Sequence, residues 1–147
     1  MRAAMRARHL YIAIAALAVA GVIVSSISLQ HHYSRSQDSF CNLSQTINCD
    51  IVNRSVYSKV GPVPVALIGI LGYLSILALA TIYRDTPQTP TVLLSTSVLG
   101  FAFALYLTYI EGFVLAAWCI MCLTSLELIF DIVVLSAILK FRAVPDP

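Results

Sequence analysis

Charge is scarce in this sequence. Only 11% of its 147 residues are Asp, Glu, Lys or Arg, while 59% are hydrophobic. A soluble domain carries about 25% charged residues, so a chain solvated wholly by water is excluded. The net charge is +2 and no basic run is present, which argues against a nucleic-acid footprint. No unit of about 20–50 residues recurs, so the chain is not a repeat array. The length allows one domain.

What is present is long apolar sequence. Residues 10–29, 63–83 and 91–110 contain no charge, and 112–139 contain only Glu127 and Asp131. About 20 helical residues cross a hydrocarbon core of roughly 30 Å. Helices also satisfy their own backbone hydrogen bonds, which lipid cannot do. The pattern predicts an all-α integral membrane protein, a four-helix bundle. Arg2, Arg6 and Arg8 before the first run also suit a secretory signal. That run exceeds the usual 7–15 residues or so of a signal core, and no clear small-x-small cleavage site follows, so a retained helix is expected.

Lys and Arg give the orientation. Arg2, Arg6, Arg8, Arg84, Lys140 and Arg142 fall on one side of a four-span topology, with Arg35, Arg54 and Lys59 on the other. The richer side is cytoplasmic. Residues 30–62 then form an outward loop, and its polar stretch 34–39 suits water, as does the short turn at Glu111-Gly112. His31 and His32 read as part of that solvated loop. A short helix within residues 34–58 would lie over the bundle mouth.

Four cysteines fall at the outward face: Cys41 and Cys49 in the loop, Cys119 and Cys122 just after Trp118. Trp marks the membrane interface. An oxidising face places the chain in a bacterial membrane or in the endoplasmic reticulum. Cys119-Ile120-Met121-Cys122 is a C-x-x-C, and residues three apart on a helix share a face. Such pairs exchange disulfides readily, but a lone C-x-x-C is also compatible with a structural disulfide or with zinc. Zinc prefers short spacings in both ligand pairs, whereas Cys41 and Cys49 are eight apart. The clustering at one surface favours redox chemistry, with structural disulfides and metal as the alternatives.

Other features carry less. Glu127 and Asp131, four apart, are intramembrane carboxylates that could relay protons or simply lie neutral within the bundle. Pro62 and Pro64 open the second helix, where a missing donor costs little. Gly69 and Gly72 could admit a neighbouring helix closely. Asn42-Leu43-Ser44 and Asn53-Arg54-Ser55 match a glycosylation sequon that is common by chance.

The cysteine pattern, with the stretch Cys49-Asp50-Ile51-Val52-Asn53-Arg54-Ser55, Gly61-Pro62-Val63-Pro64 and Trp118-Cys119-Ile120-Met121-Cys122, resembles the vitamin K epoxide reductase family over nearly the whole chain. The likeness is to its bacterial, quinone-reducing members. The resemblance implies a relay that supports disulfide-bond formation. Cys41 would take electrons from a reduced thioredoxin-like partner. Cys49 would pair with Cys41 and pass the electrons on through a Cys49–Cys119 disulfide. Cys122 would deliver them to a quinone, whether ubiquinone, menaquinone or a vitamin K-type ring. Ser55, six residues beyond Cys49, occupies the family's Ser/Thr position and would help hold the quinone. It implies a bacterial inner membrane with both termini cytoplasmic and the site periplasmic. Two departures bear on substrate and partner. Many bacterial relatives carry a fused thioredoxin-like domain; here residues 1–147 read as one domain, so the partner is expected to be a separate protein. Animal relatives carry Thr-Tyr-Ala beyond the C-x-x-C, and here Leu126 takes the place of the tyrosine, so plain quinone rather than the epoxide is the expected substrate. The rival reading is a non-enzymatic membrane subunit with two structural disulfides.

Overall fold

The structure, a computed structural model, describes residues 2–34 and 40–143. Arg35 and the rest of the polar stretch through residue 39 lie outside the described residues.

Sustained apolar sequence without internal proline winds into long helices. Helix α1 spans Arg2–Tyr33, about 48 Å at 1.5 Å per residue. It overshoots the apolar run because nothing in Gln30-His31-His32-Tyr33 breaks a helix. Helix α4 spans Thr89–Ile110, with Pro90 in its first turn, and α5 spans Ile120–Ala143. Three segments, Ala4–Tyr33, Thr89–Leu115 and Ile120–Arg142, are long and apolar enough to cross a membrane, with mean hydropathies of 2.5, 1.8 and 2.2.

The fourth apolar helix, α3, is shorter than its run, at Val65–Thr81. Val63–Pro64 is instead strand β2, paired antiparallel with β1, Lys59–Val60. Gly61 turns this hairpin at φ 62°, a left-handed conformation that glycine adopts freely. A two-residue hairpin therefore interrupts the all-helical expectation, and Pro64 rather than Pro62 abuts the helix. Between the hairpin and the membrane helices lie the short helix α2, Cys49–Asn53, and a 3-10 turn, Val56–Ser58, so a small helix does form within the loop.

Helix α1 packs on α3 and α5, and α4 packs on α5 and α3. Their shared core contains Ile14, Ala18, Tyr73, Ile76, Leu93 and Ile132. Close approach depends on small residues. A Cβ on Gly21 would fall on the Tyr73 ring, and one on Gly69 would sit 2.9 Å from Ser25 Oγ. The expected close contact at Gly72 is not made; that position faces open space. Tyr73 also donates a hydrogen bond to the Ser125 carbonyl (2.9 Å), tying α3 to α5. Outward faces remain apolar, with Ile23, Leu71 and Leu99 exposed, as lipid-facing surfaces must be.

The fourth sequence run is not one helix. Residues 111–115 continue α4 as a single π-helical turn, Glu111–Leu115, which ends at Ala116 in the left-handed conformation (φ 50°). The chain runs on irregularly through Ala117, Trp118 and Cys119 before α5 starts at Ile120. The expectation of a helix from residue 112 to 139 is corrected accordingly.

Candidate active site

Local polar sequence shapes the cysteine loop. Asn42 and Asn48 form an antiparallel bridge. Ser44 Oγ accepts the N–H groups of Thr46 (3.2 Å) and Ile47 (3.0 Å), closing the turn between them. Asn48 caps α2, accepting the N–H of Asp50 (3.0 Å) and Ile51 (3.2 Å), the usual work of an N-cap side chain. Asn42 Nδ2 donates to Asp50 Oδ2 (2.9 Å). This frame brings Cys41 and Cys49 to a Cα–Cα distance of 5.5 Å, and a disulfide joins them.

The loop is then docked by backbone. Trp118 N–H donates to the Thr46 carbonyl (2.7 Å), and Asn48 N–H donates to the Trp118 carbonyl (3.1 Å). The pairing lays residues 46–48 alongside the segment that enters α5. From the other side α1 holds the loop with its last two turns. Ser28 Oγ donates to Asn53 Oδ1 (3.0 Å), and the His32 ring is hydrogen-bonded to the Asn53 carbonyl. His31 is buried and His32 half-buried. Both histidines thus belong to α1, and His32 to its contact with the loop, not to a solvated segment.

The result is a tight sulfur cluster. The Sγ atoms of Cys41, Cys49 and Cys119 all lie within 4.8 Å of one another, and all three residues are buried. Three sulfurs at that separation suit either metal ligation or thiol–disulfide exchange. With Cys41 and Cys49 joined, two of the three are spent as ligands, because the thiolate is the metal-binding form, whereas a disulfide beside a thiol is the reactant pair for exchange. Cys119 and Cys122 are free.

Cys119 immediately precedes α5, and its carbonyl accepts the Leu123 N–H (3.0 Å). The C-x-x-C therefore straddles the helix start instead of lying within a helix. The position matters chemically. The Cys122 thiol, hydrogen-bonded to Cys119, holds the Cys119 thiol below the ordinary range. The N–H groups of Cys122 and Met121 act in the same sense, against burial and the carboxylate of Glu111. First-turn N–H groups stabilise a thiolate at a helix start.

Beneath the cluster is a cavity of about 120 Å³. All four long helices contribute to its wall, as do Val52, Asn53, Ser55 and Tyr57 of the loop. Cys122 lines it and Cys119 does not. Ser55 is on the wall, with its hydroxyl donating to the Val52 carbonyl (2.8 Å). Glu127 is exposed and Asp131 half-buried, and neither reaches the cavity.

The residue missed in the sequence is Glu111. It was expected in a wet turn, but it is 2% exposed. Its Oε2 accepts the Cys119 N–H at 3.1 Å, and its carbonyl accepts the Ala117 N–H at 3.1 Å. Glu111 and Cys122 both line the cavity. The available clue was a lone carboxylate eight residues before the C-x-x-C, with apolar sequence on both sides.

A disulfide in the loop, a free thiol within 4.8 Å of both its sulfurs and a second thiol on the cavity gather at one end of a helical membrane protein. Residues 12–137, most of the sequence, match the Vitamin K epoxide reductase family, and the chain belongs to that family.

Proposed function

We propose that this protein is a membrane thiol–disulfide oxidoreductase that reoxidises a separate thioredoxin-like protein and passes the electrons to a quinone. The observation that carries the reading is the sulfur geometry: Cys119 within 4.8 Å of both loop sulfurs, and Cys122 on the cavity. Family membership supports the oxidoreductase class.

The residues act in sequence. A thiolate of the partner attacks Cys41, and Cys49 leaves as a thiolate. Cys49 attacks Cys119 of an oxidised Cys119–Cys122 pair, and Cys122 leaves as a thiolate. The partner's second thiolate resolves its bond to Cys41 and leaves as a disulfide; the freed Cys41 attacks Cys49 and releases Cys119, so the electron pair now resides in the C-x-x-C. A loop disulfide beside the two thiols of the C-x-x-C supports this order. Cys41 is only 1% exposed, so a protein thiol reaches it when the loop lifts from Trp118.

The cavity suits a ring. An apolar cavity of about 150 Å³ admits benzene in other proteins, and this one is of similar size, with Ser55, Tyr57, Glu111 and His32 among its polar lining residues. A bound quinone would supply a two-electron, two-proton acceptor beside Cys122. Four membrane spans, with α3 as the shortest, both termini cytoplasmic and the cysteine end facing an oxidising compartment, complete the proposal.

The test is quinone reduction by purified protein supplied with a reduced thioredoxin-like donor, followed by quinone absorbance. Wild type should turn over repeatedly, and Cys122→Ala should lose activity by on the order of 10³-fold or more, as loss of a reacting group does. Donor oxidation without quinone reduction, or full activity in Cys122→Ala, would overturn the reading.

A further inference from the structure

Buried carboxylates are expensive to hold in a membrane protein and mark proton paths when no cation pairs with them. Glu111 is such a group: at 2% exposure it has no salt bridge among the described residues. Its Oε2 is engaged by the Cys119 N–H. Its Oε1 is buried with no N–H or O–H partner among the described residues, and the carboxyl interacts with the Cys122 thiol. A carboxylic acid carries one O–H donor while its other oxygen still accepts, so Oε1 is the atom free to hold a proton. Glu111 lines the same cavity as Cys122.

The backbone holds the carboxyl there deliberately. The π turn and the left-handed Ala116 fold the chain back so that the peptide following Trp118 meets a side chain eight residues earlier. An uninterrupted α-helix would carry Cys119 about 12 Å along the axis from Glu111.

We propose that Glu111 is the proton carrier of the Cys119–Cys122 pair, taking up protons released as these thiols close to a disulfide and delivering them to an acceptor in the cavity. The inference rests on the oxidoreductase reading above. Closure forms one S–S bond and breaks two S–H bonds. Two electrons and two protons leave for a two-electron, two-proton acceptor of the quinone class. Glu111 gives its Oε1 proton to an acceptor oxygen, becomes a carboxylate, and regains a proton from a thiol. It does this twice per pair and ends as it began. The other titratable groups on the cavity are Cys122 itself, His32 of α1 and Tyr57; α3 and α4 contribute no ionisable side chain to the wall.

The experiment uses the full chain with Glu111→Gln, which keeps an oxygen for the Cys119 N–H but cannot carry a proton. Quinone reduction should fall about 10²-fold or more, the usual range for a general acid or base. The solvent deuterium effect should rise, since protons must then arrive from water. In a single turnover without quinone, transfer of electrons from donor to the C-x-x-C should stay within threefold of wild type. Acetate should partly rescue Glu111→Ala. A Glu111→Gln rate within twofold of wild type, with an unchanged pH profile, would overturn the proposal. So would equal loss of both steps without acetate rescue, which would make the residue structural. The pH dependence of Cys122 alkylation in the reduced protein is read without any quinone. It should change between wild type and Glu111→Gln; an unchanged profile would overturn the Glu111 role. If wild type reduces no quinone, the acceptor assignment fails separately.

Discussion

The two clusters of this molecule are held by different means. The helix core, centred on Ile14, Leu93 and Ile132, relies on close packing and small residues, because lipid gives no hydrophobic drive between helices. The cysteine cap, with Cys41, Cys49, Ala117, Cys119 and Met121 buried together, relies on a covalent bond, an N-cap and backbone pairing. The first is graded and redundant. The second is a short chain of specific links, each fixing the position of a sulfur.

That contrast can be broken at either end. Leu93→Ala should destabilise the helix core by about 2 kcal/mol, the low end of the usual cavity cost, since lipid lacks the transfer contribution. Thermal unfolding followed by circular dichroism measures it, and the rate of donor-to-C-x-x-C transfer should be unchanged below the transition. Asn48→Ala should do the opposite. Loss of the N-cap costs about 1 kcal/mol and acts locally, so global melting should move little while Cys41 and Cys49, once reduced, are alkylated about fivefold faster. If Asn48→Ala lowers the melting transition as much as Leu93→Ala does, the two regions are not independent.

The smallest effect is in pH. Cys119 is held low first by the Cys122 thiol. For an acid whose pKa is depressed by folding, the charged form and its stabilisation persist as pH falls from the ordinary thiol range, and are lost once pH passes through the lowered value. Alkylation of Cys119, in a Cys41→Ser/Cys49→Ser background, should therefore stay fast below the ordinary thiol range. Replacing Cys122 with Ala should move that profile to higher pH. An identical profile in both would remove the thiol hydrogen bond as the cause.

Sequence reading reached the two regions unequally. Apolar runs located the middles of all four helices, because long uncharged stretches are visible in composition alone. It could not place their ends. Gln30 to Tyr33 contain no breaker, so α1 ran on, while Pro64 and the Gly61 turn trimmed α3. The break before α5 was invisible because Gly-Phe-Val-Leu-Ala-Ala is as apolar as the helices around it. In the cap, spacing and family resemblance singled out the four cysteines, but not their burial, which follows from long-range pairing between residues 46–48 and Trp118. Glu111 escaped for the same reason: its partner, the Cys119 N–H, faces it only because Ala116 turns left-handed.

The pairing between Thr46, Asn48 and Trp118 uses main-chain atoms on both sides. Atoms common to every residue carry no side-chain identity. The residues exposed on the loop's outer surface, such as Leu43, can therefore be exchanged without altering the spacing between the two cysteine pairs. One face of the loop is left open for change while the sulfur-to-sulfur register stays constant, so under the proposed function the loop is where the choice of protein partner would be engineered.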